Sequence, residues 1–196
     1  MKTAILALLL CLIARSAGAG PTFAIWGDDG TGLSPNLVTR TDKPFDVVVT
    51  LDSDGNDSIA AEWVMSDLRL EFPGVLLVQT TKIFNTGLDL GLNDLGEYLM
   101  AFGTCAPPSD RVELLRLSYA DFSGVIGTQS TLMTLRGFES SDSRPSSFNG
   151  QPGFVDCTEG RHGGEMGGHE NAGALCVNCY EPPANETTIS DIKAKF

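Results

Sequence analysis

The sequence predicts an all-β protein: an antiparallel β-sandwich with an irregular, Gly-rich, disulfide-tied C-terminal extension. Three observations carry this prediction. Several short segments alternate apolar and polar residues with period two, as half-buried strands do. Gly, Pro, Asn and Asp clusters punctuate those segments at short intervals. No long amphipathic helical pattern occurs before the last residues of the chain.

The first element is an export signal. Lys2 supplies a positive start, 4–14 is an apolar run, and Ala17-Gly18-Ala19 forms an A-x-A cleavage site, so residues 1–19 read as a signal peptide and Gly20 as the mature start. The apolar run is shorter than the roughly 20 residues a membrane-spanning helix needs. No later stretch is apolar enough to span, and the mature chain is expected to be secreted, extracellular or periplasmic.

A β-sandwich domain is expected over 20–138. Strand 22–26 is stopped by Gly27-Asp28-Asp29-Gly30. In 45–51, Phe45, Val47, Val49 and Leu51 share one face. Leu68, Leu70 and Phe72 alternate with Arg69 and Glu71 before Pro73-Gly74, which reads as another strand. Further strands are expected at 75–80, 97–102, 112–119 and 131–136, whereas 88–99 has room for a helical turn. Trp63 is read as covered by a loop or by the second sheet.

From Glu139 the composition shifts. Residues 139–180 form a Ser/Pro/Gly-rich, Cys-containing extension packed on the domain, and the run 160–173 has too many glycines to hold regular structure alone. Residues 181–196 are a linker and a short tail helix, with Ile189, Ile192 and Phe196 at near-helical spacing.

Cys11 lies in the signal, leaving Cys105, Cys157, Cys176 and Cys179. Four cysteines in an exported chain read as two disulfides, of which sequence leaves all three connectivities open. Zinc competes for the same residues, since Cys157, His162, His169, Cys176 and Cys179 are all potential ligands, but their spacings match no common zinc module. A redox role for Cys176-x-x-Cys179 lacks the surrounding strand–helix pattern that such chemistry uses.

Charge and composition exclude several functions. The chain has 13 basic and 25 acidic residues, and without 1–19 its net charge is −14. Such a chain offers no basic surface to neutralise phosphates, so nucleic acid is not a partner. There is no G-x-S-x-G elbow, and His162 and His169, the only histidines, sit in the Gly-rich run. His162, Glu165 and His169 only loosely resemble a metal motif, so no catalytic residue is assigned and the chain is not read as an enzyme. Asp52, Asp54 and Asn56 place oxygen ligands at alternate positions and are a candidate calcium loop, but the glycine and the distal Glu of a calcium-binding loop are not where they belong. The competing reading is a polar connection after strand 45–51. Trp26, Trp63, Tyr98, Tyr119 and Tyr180 are the candidate sugar-stacking residues. Asn56-Asp57-Ser58 and Asn185-Glu186-Thr187 match the glycosylation pattern.

PFDVVVTLDSDGNDSIAAEWVMSDLRLEFPGVLLVQ (44–79) resembles the first half of cohesin-like and related immunoglobulin-like sandwiches of exported bacterial proteins, a strand and polar loop followed by a long strand entering a Pro-containing turn. GEYLMAFGTCAPPSDRVELLRLSYADFSG (96–124) resembles their later strand pair. LRGFESSDSRPSSFNGQPGFVDC (135–157) and the ending ISDIKAKF resemble exported proteins of environmental bacteria. The resemblance implies an immunoglobulin-like or jelly-roll sandwich that binds a partner protein or a carbohydrate; the Gly-rich, Cys-containing extension departs from the cohesin pattern. The expected function is a secreted, non-catalytic module for extracellular protein–protein or adhesive interaction. The alternatives are a carbohydrate-binding module with a calcium-shaped loop and a small secreted metal-dependent hydrolase.

Overall fold

The computed structural model describes residues 20–40, 43–72, 74–82, 87–109, 111–124, 126–167 and 173–179. Residues 1–19, read above as an export signal, and the expected linker and tail helix at 181–196 therefore lie outside the described residues. In chain order the elements begin with β1 (Thr22–Asp28), β2 (Leu33–Ser34), β3 (Asn36–Leu37), β4 (Phe45–Asp52), β5 (Ser58–Met65) and the one-turn helix α1 (Leu68–Glu71). They continue with β6 (Val75–Lys82), β7 (Leu88–Asp89), β8 (Glu97–Ala106), β9 (Val112–Asp121) and β10 (Thr131–Arg136). The last four are β11 (Gly153–Val155), β12 (Arg161–Gly163), β13 (Glu165–Gly167) and β14 (Ala174–Val177).

Two sheets face each other. The first runs β13-β1-β4-β9-β6, with β2 on the end of β1, and is antiparallel except for the β1–β13 pair. The second is centred on β5. Strand β8 flanks β5 on one side, with β7 beyond it; β11 and β10 share the other side, and β12, β14 and β3 complete the sheet. Between the sheets, Phe23, Ile25, Val47, Val49 and Leu51 meet Trp63, Met65, Phe102, Leu135 and Leu175 in one apolar core. Trp63 is fully buried there, stacked on Tyr98 at 5.2 Å and 6.4 Å from the Phe23 ring. The all-β antiparallel sandwich expected from alternation is the fold observed.

Segment 68–72 corrects the sequence reading. It is a helical turn, because the Asp67 carboxylate accepts the Arg69 N–H at 2.9 Å and also binds the Arg69 guanidinium, capping the turn. Leu68 and Phe72 enter the core, while Leu70 stays 68 % exposed. Strand β5 has no clean alternation because both its faces are covered: Ala61, Trp63 and Met65 belong to the core, yet Glu62 and Val64 on the other face are buried as well. In 88–99 the chain forms the short β7 and a single 3-10 turn at Asn93–Leu95.

After residue 139 the chain contributes to both sheets. β11 pairs with β5, β14 with β10, and β13 runs parallel to β1. The Gly-rich run is thus broken by the three-residue strands β12 and β13, which borrow their ladder partners from β11 and β1. The cysteines pair Cys105 with Cys157 and Cys176 with Cys179, one of the three connectivities that the sequence leaves open. Cys105–Cys157 joins the end of β8 to the turn after β11 across 52 positions.

These separations predict unequal costs of removal. In the loop-entropy description Cys157→Ser removes about 4 kcal/mol, whereas Cys179→Ser, opening a three-position loop, removes about 2 kcal/mol. Chemical denaturation of both variants measures the order, and equal losses would contradict it.

Candidate functional site: the outer face of the second sheet

The outer face of the second sheet is divided in two. One half lies under the segment 137–152, which leaves β10, crosses the sheet and returns as β11. Its anchors are two buried carboxylates that β5 and β8 point outward. Glu97, 3 % exposed, accepts the Ser143 N–H at 3.0 Å and the Ser143 hydroxyl. Glu62, 1 % exposed, accepts the Ser147 N–H at 2.8 Å. Arg136 binds Asp142 at 2.5 and 2.8 Å, and Asp142 also accepts the Glu139 N–H at 2.7 Å. Gly137 and Gly153 permit the close approach, since a Cβ at either would overlap Gln151 or the Phe148 ring.

The other half is bare among the described residues. Leu99 and Ala101 on β8 lie opposite Glu62 and Ala60 on β5, and Leu88 on β7 lies opposite Ala101. Leu88 is 60 % exposed and Leu90 51 %, and the row continues with exposed Leu92 and Leu95. Single exposed leucines are ordinary on protein surfaces, but Leu88 opposite Ala101, and Leu90 whose N–H bonds the Leu99 carbonyl, extend the apolar strip of β8 into an exposed patch. At its border a cavity of about 80 Å³ opens, walled by Ala60, Leu99, Phe148 and Val155 with Glu62 and Arg161 in its lining. The alternate leucines of LDLGLNDL were the sequence signal for this edge.

The residues singled out from sequence occupy other places. Asp52, Asp54 and Asn56 come together in the turn between β4 and β5. There the Asp52 carboxylate accepts the Asp54 N–H at 3.0 Å, and the Asn56 amide donates to the Ser53 carbonyl at 2.9 Å. Asp54 adopts a left-handed φ of 50°, so these groups close a turn. His162 binds Asp156 through Nε2 at 2.8 Å and stacks on Phe154. With Thr158 and the Gly160 N–H, that contact holds the Asp156 carboxyl far below the usual range. Glu165 stands on β13, and His169 lies outside the described residues. Of the aromatic residues considered for sugar stacking, Trp63, Tyr98 and Tyr119 are buried in the core and Tyr180 lies outside the described residues. Trp26, half-buried, donates its indole N–H to Thr50 and lies beneath the Arg111 guanidinium.

No family model matches the chain, and no curated protein matches it. Among solved structures, it is similar to the third ScaB cohesin of R. flavefaciens in complex with a group 1 dockerin, at 14 % identity over 82 % of this chain and 96 % of that one, with a TM-score of 0.46. It is also similar to a type II cohesin domain from the cellulosome of Acetivibrio cellulolyticus, at 10 % identity, 82 % and 96 % coverage and a TM-score of 0.46. A cohesin module from a Clostridium perfringens family 33 glycoside hydrolase gives 10 %, 74 %, 90 % and 0.44. At these values the likeness says nothing of function.

The Arg136–Asp142 anchor sets a pH dependence. The guanidinium beside Asp142, against the opposing effect of burial and with help from the Glu139 N–H, lowers that carboxyl from 3.8 to about 2. A carboxyl depressed by folding stabilises the fold fully above its ordinary value, and that contribution disappears as pH falls towards 2. Stability measured from pH 5 to pH 2 is therefore expected to fall less steeply in Asp142→Asn than in the wild type; identical slopes would contradict the assignment.

Proposed function

We propose that this chain is a secreted, non-catalytic interaction module that docks a partner protein on the bare half of the second sheet, the face of β7, β8 and β5. The observation that carries the reading is the contiguous exposure of Leu88, Leu90 and Ala101 beside the half-buried Leu99 and Ala60. The adjoining half of the same sheet is sealed by 137–152, so the exposure is selective within one surface. The export-like start at 1–19 and the two disulfides support an extracellular setting.

Charge narrows the partner. Residues 20–179 hold 22 acidic and 9 basic residues, so a partner with apolar side chains inside a basic rim approaches faster and more selectively than an acidic one. The apolar centre supplies affinity and the surrounding charge supplies orientation.

Two substitutions test the face. Leu88→Asp and Ala101→Arg alter exposed positions, so both variants are expected to keep the wild-type circular dichroism and midpoint. Each is expected to weaken binding of a protein captured from the native extracellular medium by at least about tenfold, as loss of about 1.4 kcal/mol implies. Leu132→Asp, on β10 of the same sheet, which pairs with neither β7 nor β8, is the control that retains binding. Unchanged binding by both face variants, or saturable binding of a polysaccharide that neither affects, would overturn the reading.

A further inference from the structure

The cavity beside the bare face holds an unusual carboxylate. Buried charges in proteins are ordinarily paired, because an isolated ion loses its hydration without compensation. Glu97 meets that need with two donors from Ser143, and the Arg136 guanidinium stands near enough for its charge to be felt. Glu62 is more buried, yet its one described donor is the Ser147 N–H, and it forms no ion pair among the described residues. It lies in the lining of the 80 Å³ cavity, which is open to the outer face, has Ala60, Leu99, Phe148 and Val155 as its apolar walls, and has Ser147 and Arg161 as its other polar side chains. Arg161 also lines it and makes no ion pair with Glu62.

We propose that this cavity is the receptor for an alkylammonium group, the end of a lysine side chain carried by the partner. The inference rests on the proposed function and names the chemistry of one contact within it. Apolar walls match the aliphatic stem of lysine, and the Glu62 carboxylate meets the ammonium at the bottom. A compact ammonium fits a cavity of this size beside a single carboxylate, whereas the broad, forked guanidinium of arginine calls for a wider, bidentate site. An anion would meet Glu62 unfavourably, and a purely apolar group would leave it buried without a counter-charge.

The test uses small probes and no partner. Chemical shifts of Ala60, Leu99, Phe148 and Val155 are followed by NMR during titration of the intact protein with n-butylammonium chloride, n-butanol or sodium butyrate. The expected result is saturable, localised shifts with n-butylammonium, at least tenfold weaker with the other two. Glu62→Gln is expected to weaken n-butylammonium binding at least tenfold; should that variant misfold, Ala60→Leu fills the cavity from its wall and is expected to abolish binding. Equal response to n-butanol, no localised response to n-butylammonium, or an unaffected Glu62→Gln or Ala60→Leu would overturn the proposal. If Leu88→Asp loses the partner while n-butylammonium does not bind, the docking face stands and the lysine receptor falls; the reverse pattern removes the docking face.

Discussion

The structure depends on how two carboxylates on the outside of a sheet are kept dry. Glu62 and Glu97 sit on adjacent central strands, where water would be their natural partner. The chain covers them with its own backbone, offering the N–H groups of Ser147 and Ser143 and the Ser143 hydroxyl. That requirement routes 137–152 across the sheet and delivers β11 to the free side of β5. The Cys105–Cys157 disulfide then fixes the turn after β11 to the end of β8. The same crossing decides which half of the face is sealed and which half is left to a partner.

Inside, the sandwich is closed by ordinary apolar burial around Trp63, and its open edge is joined by charge. Lys82 at the end of β6 pairs with Asp89 on β7, linking the edge strands of the two sheets. Asp89 is also held by the Asn93 amide and the Gly91 N–H, which shape the leucine-bearing loop after β7. The exposed leucines are therefore presented by a chain segment whose polar groups are tied down, a condition that lowers the entropy lost when a partner binds. On the first sheet, by contrast, Arg116 gathers Asp28, Asp46 and Glu113 into a polar outer surface.

Legibility in the sequence followed the number of faces a strand buries. β4, whose Phe45, Val47, Val49 and Leu51 share the core face, and β10 could be placed from alternation and turn residues alone. β5 could not, because Glu62 is buried by a segment about 85 positions away and polarity there no longer means exposure. Alternation at 68–72 misled, since Asp67 and Arg69 make a cap whose effect outweighs three evenly spaced apolar residues. β12 (Arg-His-Gly) and β13 (Glu-Met-Gly) contain few strand-forming residues and exist because neighbouring strands offer them ladders. For the site, the alternate leucines at 88, 90 and 92 were visible, but their exposure was not: it depends on where 137–152 stops covering the sheet.

Native-state hydrogen exchange at the Ser143 and Ser147 amides tests the central claim most directly. If the crossing segment is a fixed part of the sandwich held by Glu97 and Glu62, both amides exchange as slowly as those in the middle of β5 and β8, through global unfolding. Exchange at the rate of an open loop would mean that the carboxylates do not hold the segment, and the division of the outer face into a sealed and a bare half would fail with it.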